Sequence, residues 1–310
     1  MLFAGIDLGG TTIKGALVNE EGIIIRSKSI PTGGERPHRE IVLDMANLIV
    51  DLAKEEGIGL SEIARVGIGS PGTIDVENGV VVFANNFADF KNVPVRAIMQ
   101  EVLPGMPIYM ENDANVAALG ENLFGAGRGK KSTVLITIGT GLGSGIIIDG
   151  KIFSGGFGGG EIGHTVIVAD GKPCTCGRNG CWEAYSSATG MVRMAKEAIG
   201  RHPESVMAAR GDELNAWDIR KAEQSGDAAA VETLEEYYHY MAIGLVNVIN
   251  VFRPDAVILG GGPSADGELL RMPLYDRVAE KVYGGRMDTE LLIATLGNKA
   301  GIIGAAFLQD

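Results

Sequence analysis

A glycine-punctuated segment that occurs twice, 130 residues apart, constrains this chain more than any other feature. Asp7-Leu-Gly-Gly-Thr-Thr-Ile-Lys-Gly-Ala-Leu-Val and Thr137-Ile-Gly-Thr-Gly-Leu-Gly-Ser-Gly-Ile-Ile-Ile superpose Gly9 on Gly139 and Gly15 on Gly145. Each copy reads strand, glycine turn, strand. Any two glycine-rich hairpins align passably, so the alignment alone leaves duplication undecided. Both copies also open a series in which strands alternate with amphipathic helices, and that favours two similar α/β domains facing each other across a cleft.

In the first series residues 3–7, 15–18 and 23–27 read as three strands joined by hairpins. Ile41, Val42, Met45, Leu48, Ile49 and Leu52 recur at helical spacing between Arg39 and Lys54, with Gly57 as the stop. A buried strand at 65–72 follows, then an apolar segment at 108–113 that runs into a helix over 114–125. Asn112 and Asp113 therefore stand where a strand gives way to a helix. The second series has strands at 132–139 and 145–149, a helix at 237–252, a strand at 256–261 and a last apolar segment at 300–308. The expected division is an N-terminal α/β domain over 1–113 and a larger C-terminal α/β domain over 114–299. The final helix, about 300–310, is expected to pack back on the first domain.

Charge and cysteine usage narrow the partners. With 39 acidic against 27 basic residues and a net charge of −12, a nucleic-acid-binding face would have to be built against the overall field. No run approaches the roughly 18 to 20 apolar residues of a membrane span, and no basic-then-apolar leader opens the chain. The expectation is a soluble cytoplasmic protein without membrane or nucleic-acid partners. All three cysteines fall between 174 and 181, which is not the layout of a disulfide framework.

His164, Cys174, Cys176 and Cys181 supply one imidazole and three thiolates, the number a tetrahedral zinc site needs. The segment 164–181 is turn-rich, with Pro173, Gly177 and Gly180 placed to wrap a small ion. Four ligands leave no position for an activated water, so the expectation is a structural Zn2+ and not a catalytic one. Three incidental free thiols are the alternative.

Two turns are candidates for phosphate. Asp7, Gly9, Gly10, Thr11 and Thr12, with Lys14 just beyond, make one; Gly139, Thr140 and Gly141 make the other. Their glycines expose backbone N–H groups and their threonines add hydroxyl donors. Neither meets the P-loop or dinucleotide pattern. Another glycine run, S-G-G-F-G-G-G at 154–160, has the same look of a tight turn approached by a ligand. A further turn at Gly261 and Gly262 follows a buried strand and either lies against a base or ribose or merely ends the strand.

Asp113 is a candidate general base, or alternatively a solvated helix cap. Asp7 is placed to hold water on a nucleotide-bound magnesium. Glu161 and Glu183 bracket the cysteine segment, and paired acceptors of this kind suit sugar hydroxyls.

From Phe3 to Phe307 the chain resembles the ROK family of sugar kinases, its bacterial glucokinases most of all. The marks are DLGGTTIKGALV, GIGSPGTID, ENDAN at 111–115, the signature at 137–164, CTCGRNGCWEAYSS, LGGGPS and AGIIGAA. The resemblance implies a duplicated actin-like, ribonuclease-H-like ATPase fold with an active-site cleft between its domains. It implies ATP with Mg2+, and transfer of the γ-phosphoryl group to the 6-hydroxyl of a hexose, glucose before fructose, mannose or N-acetylmannosamine. It further implies Asp113 as base, Asn112, Asp113, Glu161, His164 and Glu183 as sugar contacts, His164, Cys174, Cys176 and Cys181 as zinc ligands, and a homodimer or homotetramer. A non-catalytic sugar sensor is the reading from another class, and the absence of a helix-turn-helix ahead of the first hairpin argues against a repressor. One departure, Phe87 and Phe90 in place of a tryptophan within 85–94, bears on which sugar is preferred.

Overall fold

Both glycine segments fold as hairpins, and each hairpin starts a sheet of the same design. The computed structural model describes residues 1–155 and 158–309, so Gly156 and Phe157 of the 154–160 glycine run, and Asp310, lie outside the described residues. The first series comprises β1 (Leu2–Leu8), β2 (Thr12–Asn19), β3 (Ile24–Pro31), α1 (His38–Glu56), β4 (Ile63–Ser70), β5 (Thr73–Asp75), β6 (Val80–Phe83), β7 (Lys91–Val93), α2 (Val95–Gln100), β8 (Ile108–Asn112) and α3 (Asp113–Phe124). The second comprises β9 (Thr133–Ile138), β10 (Leu142–Ile148), β11 (Lys151–Ile152), α4 (Glu183–Ser186), α5 (Ala188–Arg201), α6 (Ala216–Gln224), α7 (Ala228–Phe252), β12 (Ala256–Gly261), α8 (Glu268–Ala279), β13 (Glu290–Ile293) and α9 (Ala300–Ala306).

The two five-stranded sheets run β3-β2-β1-β4-β8 and β11-β10-β9-β12-β13, while β5, β6 and β7 form a small sheet of their own. Numbered within each copy, both large sheets have strand order 3-2-1-4-5. The repeat seen in the sequence is thus a repeat of topology. β2 begins at Thr12 and β10 at Leu142, the same 130-residue offset. The turns are not identical, since Gly9 N–H closes on the Thr12 carbonyl while Gly139 N–H closes on Gly141.

The chain folds into two compact units, one of residues 1–135, 145–160 and 295–310 and another of 136–144 and 161–294. This differs from the expected boundary at 113, because α3 packs against α9 and so stays with the first sheet. The approach is close: a Cβ on Gly120 would collide with the Ala300 carbonyl, and one on Gly304 with that of Val116.

In the first unit the period-two pattern sorts side chains between two layers. Ala4, Ile6, Leu8, Ile13 and Leu17 join the core that buries the α1 stripe of Ile41, Val42, Met45, Leu48, Ile49 and Leu52. Phe3, Ala16 and Val18 face the other way, onto Ile302, Ile303 and Ala306 of α9. Each fully buried aliphatic side chain contributes about 1.5–3 kcal/mol, so the α1 stripe is a main term in this unit's stability. The helix ends at Gly57, which takes the left-handed conformation at φ 77° and returns its N–H to the carbonyls of Ala53 and Lys54. Phe87 and Phe90 belong to the same core, with ring centroids 4.4 Å apart. The two rings of the departure expected to bear on sugar choice are therefore interior.

In the second unit β12 is buried along Ala256, Val257, Ile258 and Leu259, and α7 packs against α5, α6 and α8. Trp182 is wholly buried, and Gly244 of α7 is a glycine because a Cβ there would meet the indole. That packing seats the chain between Cys181 and Glu183. No helix among the described residues is long and apolar enough to cross a membrane.

Candidate active site and metal centre

In the first unit β1, β4 and β8 are parallel neighbours, with Asp7 opposite Gly69 and Ser70 opposite Asn112. Their carboxyl ends therefore lie side by side, where open α/β sheets bind ligands. Asn112 caps α3, its Oδ1 accepting from the N–H groups of Ala114 at 2.9 Å and Asn115 at 3.4 Å. Its Nδ2 donates to the Gly72 carbonyl at 3.3 Å. The cap is thus Asn112, and Asp113 is the first residue of the helix, its own Oδ1 also accepting from the Ala114 N–H at 2.9 Å.

Asp113 reaches solvent, although protein crowds it on most sides. That desolvation holds its carboxyl above the usual aspartate range, the Ala114 N–H opposes the shift, and the charge of Asp7 adds to it. Gly69 lies between the two acids: a Cβ there would come within 3.7 Å of the Asp113 Cα and 2.5 Å of a Val116 methyl. Lys14 Nζ stands 3.2 Å from Asp7 Oδ2, across the hairpin from it. The Gly9 turn is braced by the Thr32 hydroxyl, which donates to the Gly9 carbonyl at 2.7 Å. Thr11 is exposed, while Gly9, Gly10, Thr12 and Lys14 are half-buried.

The second unit gathers the remaining candidates into two places. His164 ends a short 3₁₀ turn, Ile162–His164, that follows Glu161. Ile162 N–H donates to the Ser144 hydroxyl at 3.1 Å, which pins that turn. His164, Cys174, Cys176 and Cys181 bring their ligand atoms within 4.8 Å of one another. The His164 Nδ1 to Cys174 Sγ distance is 3.6 Å, as is that between the Cys176 and Cys181 sulfurs. Ligands at about 2.0–2.3 Å from a tetrahedral zinc stand about 3.3–3.8 Å apart, so the donor set fits this metal. Three clustered thiols also need a cation to ionise together. Burial first, then its sulfur neighbours, push the Cys181 thiol up to about 12. Gly180 has φ 81° and packs on the Val168 carbonyl where a Cβ would collide, so the wrap requires glycine there.

Glu183, at the start of α4, lies against the same segment. Its Oε2 accepts from Leu142 N–H at 3.0 Å and its Oε1 from the Thr175 hydroxyl at 3.0 Å, with Cys174 Sγ 3.4 Å away. The turn read as a phosphate cradle therefore also carries Glu183, and a Cβ on Gly141 would lie 2.5 Å from Oε2. The carbonyls of Gly139 and Thr140 are taken by Ala188 N–H at 2.9 Å and the Thr189 hydroxyl at 2.8 Å. Gly261 has φ 89° and backs onto the Ile138 carbonyl. Gly262 lines a cavity of about 370 Å³ with Met191, Trp217, Leu234, Tyr237 and Pro263.

Three elements of this arrangement are not evident in the sequence: the Thr175 hydroxyl, the Leu142 N–H and the turn at Gly72. The last carries a signal, since G-S-P-G closes a buried strand. The other two do not, because each acts through a partner 8 or 41 residues away.

The ROK family model matches residues 3–310. A glucokinase of Streptomyces coelicolor is 38% identical over 316 residues, covering 99% of this chain and 97% of the relative. A glucokinase of Halalkalibacterium halodurans is 36% identical over 312 residues, covering 99% and 94%. Among solved structures, a ROK family glucokinase from Streptomyces griseus in complex with glucose and AMPPNP superposes with a TM-score of 0.79 at 37% identity, covering 99% of this chain and 98% of that one.

Proposed function

The chain belongs to the ROK family, and on that premise we propose that it transfers the γ-phosphoryl group of ATP to the 6-hydroxyl of glucose. Its paired sheets are the duplicated actin-like, ribonuclease-H-like ATPase fold. The observation that carries the reading is Asp113, a solvent-reaching carboxylate at the carboxyl end of parallel strands, placed one residue inside the Asn112 cap and raised by its surroundings.

Phosphoryl transfer asks a protein for charge neutralisation, in-line placement and a base for the attacking hydroxyl. Asp113 accepts the proton of the 6-hydroxyl as the bond to phosphorus forms, a contribution of about 10² to 10⁴ in rate. Asn112, Glu161, His164 and Glu183 are the further sugar contacts, and of the His164 nitrogens Nε2 is the one left for a hydroxyl. The turns at Gly9, Gly10, Thr11 and Thr12 and at Gly139, Thr140 and Gly141 offer donors to the phosphates, with Lys14 beside the first. Gly261 and Gly262 meet the base, which the cavity edged by Trp217 and Pro263 suits in size and apolar character.

Asp7, half-buried and close enough to raise Asp113, is the residue to hold a nucleotide-bound Mg2+, which supplies charge neutralisation at the phosphates. The Cys3His set holds a structural Zn2+, which supplies rigidity to the segment bearing His164 and Glu183. A cytoplasmic homodimer or homotetramer completes the reading.

A panel of glucose, mannose, fructose and N-acetylmannosamine, followed by sugar-dependent ADP release, tests it. Highest kcat/KM on glucose is expected. A higher value on another hexose moves the substrate but keeps the chemistry, and sugar binding without turnover replaces the kinase with a sensor.

A further inference from the structure

We propose that Thr175 is a positioning residue for sugar recognition, fixing Glu183 so that its carboxylate joins the glycine turn at 139–141 to the cysteine segment. The inference rests on Glu183 being a sugar contact. Its basis is the way each oxygen of that carboxylate is held. Oε2 accepts from the backbone N–H of Leu142, directly after the turn, and Oε1 accepts from the Thr175 hydroxyl, between two of the metal ligands. A carboxylate held at both oxygens by donors from different segments cannot rotate about its last bond, so its remaining lone pairs keep one direction.

Two neighbouring features make Thr175 the adjustable member of this pair. The Leu142 donor is backbone and is fixed by β10. Cys174 Sγ, 3.4 Å from Oε1, brings no donor once its sulfur serves a metal, whereas the Thr175 hydroxyl always can. On the other side Gly141 lets Oε2 come to where a Cβ would stand at 2.5 Å. The approach of Glu183 to the turn is thus built into the sequence at Gly141, and its orientation at Thr175. Carboxylates with free rotation lose directionality toward hydroxyls, so loss of the Thr175 donor reads out as weaker sugar binding and not as a loss of the metal.

The test compares Thr175→Val, which keeps the shape and removes the hydroxyl, with Thr175→Ser, which restores it. Glucose Kd by calorimetry, metal content, and the KM and kcat for glucose are measured on the full-length protein. Thr175→Val is expected to raise glucose Kd by about 10-fold, with the kinetic effect falling on KM more than on kcat, one metal per chain retained, and Thr175→Ser near wild type. Wild-type glucose affinity in Thr175→Val overturns the proposal, as does a loss of affinity that merely follows a loss of metal. Glu183→Gln serves as the separate control. If that variant binds glucose normally, the sugar-contact reading itself fails, whatever Thr175 does.

Discussion

His164 presents Nδ1, not Nε2, to Cys174, at 3.6 Å from its sulfur. Nε2 therefore lies outside the thiol contact, and the two roles proposed for the ring, metal ligand and sugar contact, fall to different nitrogens.

Protein purified without added metal is accordingly expected to carry about one zinc per chain, with Cys176→Ser lowering both zinc content and Tm. His164→Gln should reduce zinc content and glucose affinity together. Elemental analysis with calorimetry decides it, and active, folded protein free of zinc would remove the site.

The raised carboxyl of Asp113 sets a pH dependence. A base must be ionised, so kcat/KM should fall on the acid side at a pH above the ordinary aspartate value of about 3.9. Folding with a raised pKa also means that this group's contribution to stability is present below its unfolded pKa and is lost as pH rises through the folded one. Asp113→Asn should therefore lower kcat by about 10² to 10⁴ while Tm at neutral pH stays level or rises. A kcat within a few-fold of wild type would return Asp113 to the role of a helix residue.

Asp7→Asn should raise the magnesium concentration needed for half-maximal rate. Its pair with Lys14 is partly exposed, at 25% and 42% of the side chains, and exposed pairs contribute at most about 1 kcal/mol. Little change in unfolding midpoint is expected, so altered metal dependence will report the nucleotide complex and not a damaged fold.

Glu183→Gln should weaken glucose binding by about 1.5–3 kcal/mol, the range for a hydrogen bond to a charged group, and leave zinc in place. Gly141→Ala, which drives a methyl against Glu183 Oε2, should weaken glucose as well as nucleotide. An effect on nucleotide alone would separate the turn from the sugar.

Packing of α9 offers a stability test with its own control. Gly304→Ala forces a Cβ into the Val116 carbonyl, a case of overpacking that costs about 1–3 kcal/mol or more. Gly200→Ala, in α5 with nothing within 4 Å of the new carbon, should instead gain up to about 1 kcal/mol. Guanidinium midpoints of the two variants should move in opposite directions.

Much of the scaffold was legible because its rules are local. The α1 stripe, its stop at Gly57, both hairpins and the strand-to-helix change at Asn112 follow from side-chain periodicity and backbone freedom within a few residues. The Cys3His quartet was legible for the same reason, since three of its members fall within eight positions. Asp113 is ambiguous in sequence because a cap and a base look alike there, and the structure gives the cap position to Asn112.

Residue spacing by itself determined both hairpins, α1, β4, the change from β8 to α3, α7, β12 and α9, that the strand series occurs twice, and which four side chains suit a tetrahedral metal, whereas β5 to β7, α2, β11, α4 to α6, α8 and β13 carry no such pattern. Only the tertiary structure decided that α3 stays with the first sheet through α9, that Asp7 stands near enough to Asp113 to raise it across Gly69, that Phe87 and Phe90 are interior, and that Gly141 makes room for Glu183. The physical reason is one of range. Periodicity and turn chemistry act between neighbours along the chain, whereas the longer of these approaches join residues from 42 to more than 180 positions apart, and their geometry exists only once packing has brought the layers together.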